Sequence, residues 1–206
     1  MVSPLIMGTD VRKMTARTLS IYSNPAVIAL NQDPAVSAGI RVWRYYVDDI
    51  DQYGQGEISL WTRTLSNGDV AIAMVNAGNK TREMNATLGD IFFDSGSTRS
   101  PQAMETWDVY DLWANRMDDA TASSIISGNA TVSGTVMDNM NSTTRYNSTA
   151  MSYADGLAME NTALYGAKTS TIAPMGTLKA VVPRHGVGLF RIRSQGGASK
   201  RKRDEL

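Results

Sequence analysis

The sequence contains no cysteine and only one histidine among its 206 residues. Without cysteine it can form neither a disulfide framework nor a thiolate metal site, and a single imidazole argues against a zinc centre. No apolar run approaches the roughly 20 residues that a helix needs to cross a bilayer. Lys plus Arg and Asp plus Glu number 20 each, so no field of one sign attracts nucleic acid or an acidic membrane. We therefore expect no cofactor, no metal, no nucleic-acid partner and no membrane partner.

Motifs for several common chemistries are also missing. The sequence has no glycine-rich phosphate loop and no EF-hand spacing. His185 lies in a Pro-Arg-His-Gly turn without a Gly-x-Ser-x-Gly elbow, which argues against a hydrolase triad. The hydrophobic content of 42% is nevertheless that of a globular protein.

Residues 37–193 are predicted to form an antiparallel β-sandwich. Short runs rich in β-branched and aromatic residues alternate there with polar turns. Asn67-Gly68 favours a type I′ hairpin turn, and the apolar run 70–76 after it predicts a central strand. The stretch 114–170 is rich in Ser, Thr, Asn and Gly, and it is predicted as meandering strands and exposed loops within the same domain. Residues 194–206 have no apolar face, and we expect a flexible basic tail.

The first 36 residues have a different pattern. Residues 4–8 predict a short buried strand, and Asp10 or Thr9 can cap a following helix. Asn24-Pro25 predicts a helix boundary, because Asn accepts hydrogen bonds from free N–H groups and Pro suits the first helical turn. A single βα unit cannot pair both edges of its strand, so we interpret this segment as the remnant of a larger β/α domain.

Several phrases resemble the secreted fungal α-galactosidases (melibiases) of glycoside hydrolase family 27. In chain order they are Ser3-Pro4-Leu5-Ile6-Met7-Gly8-Thr9-Asp10, Asn31-Gln32-Asp33-Pro34, Val42-Trp43-Arg44-Tyr45-Tyr46-Val47-Asp48-Asp49, Trp107-Asp108-Val109-Tyr110-Asp111-Leu112-Trp113 and Val182-Pro183-Arg184-His185-Gly186-Val187-Gly188-Leu189-Phe190-Arg191. The resemblance implies that residues 1–36 are the last βα unit of a catalytic (β/α)8 barrel. It also implies that the two catalytic aspartates lie before these phrases, so we expect this chain to contain no catalytic residue.

Retaining glycosidases need two carboxyl groups about 5–5.5 Å apart. The candidates here are Asp48, Asp49 and Asp51, the pair Asp118/Asp119, and the pair Asp108/Asp111. The first two groups stand in polar stretches with no apolar pocket to raise a pKa, so they are predicted to lie in solvated turns. Asp108 and Asp111 flank Tyr110 in a predicted strand and would point to opposite faces. The α-galactoside substrate would then be a partner only in the context of the full barrel.

Features of the sequence give conflicting indications of the cellular compartment. Acceptor sequons for N-glycosylation begin at Asn79, Asn85, Asn129, Asn141 and Asn147, and they point to the secretory route. The first residues have neither a basic region nor an apolar core, so we expect no signal peptide in this sequence and interpret it as truncated. The ending Arg203-Asp204-Glu205-Leu206 resembles an endoplasmic reticulum retrieval signal. Two alternatives stay open: the basic run before it is a nuclear or polyanion-binding patch, or the whole tail comes from a misread gene end.

A second function stays open from the sequence alone. Six aromatic residues have two interpretations. They form a platform on which sugars stack, or they fill the sandwich core and its rim. They are Trp43, Tyr45, Tyr46, Trp61, Trp107 and Trp113. The alternative hypothesis is therefore a non-catalytic β-sandwich module that makes weak glycan contacts or binds a partner subunit.

Overall fold

The computed structural model describes residues 8–35, 37–93, 100–128 and 146–196. They form two compact units. One unit comprises residues 8–35, 112–128 and 146–167, and the other comprises residues 37–93, 100–111 and 168–196. No helix in these ranges is long and apolar enough to span a membrane.

The second unit is a β-sandwich of eight strands. Its strands are β1 (Ile40–Tyr46), β2 (Glu57–Thr64), β3 (Val70–Asn76), β4 (Arg82–Thr87), β5 (Trp107–Asp111), β6 (Ala167–Ile172), β7 (Thr177–Val182) and β8 (Gly186–Ser194). The larger sheet has the order β1-β2-β3-β8-β5-β6, and β4 and β7 form a separate antiparallel pair. The two sheets pack against each other through a shared core. It includes Leu60, Ile72 and Met74 from the larger sheet and Met84 and Leu178 from the smaller one. This confirms the predicted sandwich.

The hairpin between β2 and β3 forms as its sequence predicts. Asn67 and Gly68 both have positive φ, at 67° and 76°, as a type I′ turn requires. The apolar strand β3 lies between β2 and β8, so it is the central strand that its composition indicated. The alternating residues of β4 place Met84 and Ala86 in the core and leave Glu83 and Asn85 exposed.

Strand β8 lies in the middle of the larger sheet and carries a buried charge. Phe190 and Ile192 belong to the core, whereas Arg191 projects from the other face yet is fully buried. Its Nε donates to Oδ2 of Asp69 at 2.8 Å, and Nε of Arg193 lies 3.6 Å from the second oxygen. Asp69 immediately precedes β3, so this ion pair couples β8 to the β2–β3 hairpin.

The described residues of the first unit are mainly helical, which corrects the sequence prediction for 114–128 and 146–166. Helices occupy Ala16–Tyr22, Pro25–Gln32, Asp119–Ile126, Tyr153–Ala158 and Thr162–Tyr165. The prediction of strands and loops was wrong because Ser, Thr and Asn have weak helix propensity but cap helices well. Asp118, Ser152 and Asn161 do so, each accepting from a backbone N–H of the next turn.

Buried amides hold these helices together. Asn24 caps Pro25–Gln32 as predicted, and its Nδ2 also donates to the carbonyl of Leu112 at 2.9 Å. Nδ2 of Asn115 donates to the carbonyls of Thr162 and Ala163. Residues 112–128 and 146–167, which the sequence predicts as part of the sandwich, thus belong to the first unit.

Two further expectations concern the ends of the chain. The predicted strand 4–8 lies outside the described residues, apart from Gly8. At the other end β8 continues to Ser194, and Nε2 of Gln195 donates to Asp108 at 2.7 Å. These two residues are therefore anchored to the sheet, which corrects the predicted start of the tail at residue 194. Residues 197–206 are outside the described part.

Replacing Asp69 with Asn should lower the free energy of unfolding by about 3–5 kcal/mol, because it removes the carboxylate that compensates a buried guanidinium. Urea unfolding of the variant and the parent measures this difference. The matched control is Glu57→Gln, which removes a partly exposed carboxylate 3.7 Å from Arg44 and should cost less than about 1 kcal/mol. Equal losses in the two variants would contradict the assignment of Asp69 as a structural partner.

Candidate functional site

Three acidic side chains of the described residues act as caps or turn acceptors. Asp10 accepts from the backbone N–H of Arg12 and pairs with its guanidinium. Asp51 accepts from the N–H groups of Tyr53 and Gln55, and Asp118 caps the helix Asp119–Ile126. These placements confirm that Asp10 is a cap and that Asp51 lies in a turn. Asp118 instead caps a helix, and Asp49 is nearly buried beside Arg82 rather than solvated.

The pKa shifts of these groups go in the wrong direction for a general acid. Hydrogen bonds from Arg12 lower the pKa of Asp10, and hydrogen bonds from Thr121 lower the pKa of Asp118. Burial raises the pKa of Asp108, but hydrogen bonds from Lys168, Gln195 and Thr171 outweigh it and lower the pKa overall. A glycosidase acid needs a raised pKa. These three groups are therefore stabilised as carboxylates.

The six aromatic residues divide between core and surface. Trp107 is 2% exposed and packs in the core with its ring centroid 5.0 Å from that of Phe92. Trp43 packs against the core from β1 and contacts Tyr45. Tyr45 and Tyr46 are 59% and 75% exposed. The structure therefore excludes Trp107 from any sugar platform and leaves the two tyrosines of β1 available. Trp61 is partly exposed, and Trp113 belongs to the other unit.

A polar pocket opens where β1 ends and β4 begins. Its volume is about 440 Å³, and its lining residues are Tyr46, Val47, Asp48, Asp49, Lys80 and Arg82. Asp49 is nearly buried and forms an ion pair with Arg82. The two acidic and two basic side chains balance, so the pocket carries no net charge. We call this set of six residues the β1–β4 pocket.

The turn 77–80 forms one side of this pocket, and the buried amide of Asn76 organises it. Nδ2 of Asn76 donates to the carbonyl of Lys80 at 2.8 Å, and its Oδ1 accepts from the N–H of Gly78. A Cβ at Gly78 would lie 3.1 Å from Oδ2 of Asp49, so glycine permits the close approach. The N–H of Asn79 then donates to the carbonyl of Asp49 at 2.9 Å.

Sequence reasoning singled out Asp48 and Asp49 but missed Lys80 and Arg82. These basic residues precede and begin β4, far from Asp49 along the chain, and no local pattern relates them. His185 lies nearby in its turn, with Nδ1 4.0 Å from Oδ2 of Asp51 and the side chain 45% exposed. Within the described ranges, no three His, Asp or Glu side chains cluster as metal ligands.

The predicted glycosylation sites differ in what the structure says of them. Asn79 and Asn85 are exposed, on the turn 77–80 and on β4. Asn147 is partly buried, and its Oδ1 accepts from the N–H groups of Thr149 and Ala150. Asn129 and Asn141 lie outside the described residues.

Comparison with known proteins identifies the family. The model of the α-galactosidase C-terminal β-sandwich domain matches residues 55–137. The α-galactosidase of Torulaspora delbrueckii is 50% identical over 193 residues, which cover 94% of this chain and 39% of that protein. α-Galactosidase 5 of Saccharomyces cerevisiae is 47% identical over 191 residues, covering 93% and 38%. The structure of the Saccharomyces cerevisiae α-galactosidase with raffinose superimposes with a TM-score of 0.83 at 46% identity, covering 94% of this chain and 40% of that one.

The chain belongs to the α-galactosidase family. It corresponds to the C-terminal part of the fungal enzymes and spans about 39% of the length of the curated relatives that it matches. The fungal resemblance noted from the sequence is thereby confirmed. The matched residues 55–137 include strand β2, Lys80 and Arg82, so part of the β1–β4 pocket belongs to the family's sandwich domain.

Asp108 and its hydrogen-bond donors Lys168, Gln195 and Thr171, which we call the Asp108 cluster, make the stability of this segment depend on pH. A lowered pKa means that the stabilising contribution is complete above the ordinary value of 3.8 and is lost as the pH falls through the lower value of the folded state. Asp108→Asn should therefore be less stable than the parent near neutral pH, and the difference should shrink as the pH falls below 3.8. Urea unfolding across this pH series measures it. A difference that does not change with pH would contradict the assignment.

Proposed function

We propose that the protein containing this sequence hydrolyses terminal α-D-galactosyl residues, and that this segment supplies its C-terminal β-sandwich. The observation that carries the proposal is the 47–50% identity to named α-galactosidases over 93–94% of the chain. Melibiose, raffinose-type oligosaccharides and galactomannan are the substrates that the family resemblance suggests. A retaining mechanism would use one carboxylate as nucleophile and a second carboxyl group as acid and base.

We further propose that this segment alone does not hydrolyse galactosides. The carboxylates of the described residues with shifted pKa values are held in the charged form by hydrogen bonds from Arg12, Thr121 and Lys168. The acid step requires a carboxyl group that keeps its proton near the working pH. None of these groups meets that requirement.

The first test compares two purified proteins on an aryl α-galactoside. The natural full-length protein should release the aryl group, whereas the 206-residue segment should show no turnover above the uncatalysed rate. The full-length Saccharomyces relative serves as the positive control. Turnover by the segment would overturn the assignment of the chemistry to other parts of the protein, and an inactive full-length protein would overturn the proposed activity.

We propose that the protein is secreted and N-glycosylated. The support is the number of sequons together with the exposure of Asn79 and Asn85, because an acceptor must be accessible on the surface.

Glycosylation has a direct test. When the natural protein is expressed in a yeast secretory host, treatment with a glycosidase that removes N-glycans should increase its electrophoretic mobility. Asn85→Gln should abolish one increment of that shift. Glu83→Gln, which changes an exposed residue of the same strand outside any sequon, should abolish none. An unchanged mobility of the parent protein after treatment would overturn the proposal.

A non-catalytic glycan-binding role remains a second candidate function. The observation that favours it is the exposed ring of Tyr46, which lines the neutral β1–β4 pocket. Aromatic faces and balanced polar groups suit the alternating apolar and hydroxyl surfaces of sugars. It differs from the first proposal in predicting saturable glycan binding that does not need the rest of the protein.

A further inference from the structure

We propose that the β1–β4 pocket seats the first sugars of an N-glycan attached to Asn79. The inference rests on the proposed secretory route, and it assigns an occupant to a pocket that the catalytic proposal does not use. Three features support it: the position of the sequon, the chemistry of the pocket wall, and the size of the space.

The sequon lies at the rim of the pocket. Asn79 is exposed, and its N–H donates to the carbonyl of Asp49, a lining residue. Lys80, the next residue, also lines the pocket. Because Asn76 holds the turn through hydrogen bonds at both of its amide atoms, the attachment point has a defined position. A sugar linked there begins beside the opening.

The pocket has the chemistry of a saccharide site. Its two carboxylates and two cations cancel, which disfavours an ionic ligand and suits hydroxyl groups that both donate and accept. Tyr46 supplies an aromatic wall. The guanidinium of Arg44 lies 5.1 Å from the ring centroid of Tyr46 and is itself 3.7 Å from Glu57. The ring is therefore supported from one side and remains 75% exposed.

The pocket is large enough for the first sugars, and their covalent link to Asn79 keeps them close to it. A volume of about 440 Å³ falls within the range of roughly 300–1,000 Å³ of small-ligand pockets. A glycan attached at the rim has an effective concentration on the order of millimolar, so weak stacking and hydrogen bonds suffice to hold it. A free oligosaccharide would lack this advantage.

The test measures how fast an endoglycosidase cleaves between the two core N-acetylglucosamines at each site of the natural full-length protein. Site-resolved glycopeptide mass spectrometry gives the rate at Asn79 and, as an internal reference, at Asn85 on the exposed face of β4. Tyr46→Ala should increase the rate at Asn79 by roughly twofold to tenfold, because it removes one aromatic contact. The rate at Asn85 should not change.

Tyr53→Ala is the matched control, since Tyr53 is 76% exposed and does not line the pocket. It should leave both rates unchanged. Equal rates at Asn79 in the parent and in Tyr46→Ala would overturn the seating while leaving glycosylation intact. An unmodified Asn79 beside a modified Asn85 would also overturn it. Absence of glycan at every site would overturn the proposed secretory route as well.

Discussion

The buried ion pair between Asp69 and Arg191 constrains how the strands of the larger sheet pair. Apolar residues of β8 can exchange neighbours at modest cost, but a fully buried guanidinium needs its carboxylate. A slip of one residue between β3 and β8 would turn Arg191 into the core and Ile192 out of it. The charge pair therefore fixes the register of the central strand, and with it the positions of β5 and the Asp108 cluster.

The β1–β4 pocket depends on a second polar anchor, the amide of Asn76 at the end of β3. This side chain also donates to the carbonyl of Val182, the last residue of β7. It therefore links the larger sheet to the smaller one at the end where the pocket opens. The same amide shapes the turn that carries Asn79 and Lys80, so the fold and the proposed glycan site share one structural element.

The sequence predicted those elements whose cause is local. Asn24-Pro25 and Asn67-Gly68 each specify a backbone geometry, and the apolar run of β3 specifies burial on both faces. Prediction failed for the helices between 112 and 167, where capping residues and buried amides such as Asn115 replace a strong apolar pattern. The pocket was beyond prediction for a related reason. Asp49 meets Arg82 only because strands distant in the chain are brought together.

The charged groups of this sandwich are arranged differently from those of an acid–base site. Catalytic carboxyl groups in glycosidases are set apart by unequal environments, one protonated and one charged. In the described part of the sandwich, Asp49 is matched with Arg82 and Asp108 with Lys168. Such matching leaves surfaces with little net charge. Surfaces of that kind suit recognition of uncharged sugars, and a glycan attached to the sandwich itself is the ligand with the shortest path to them.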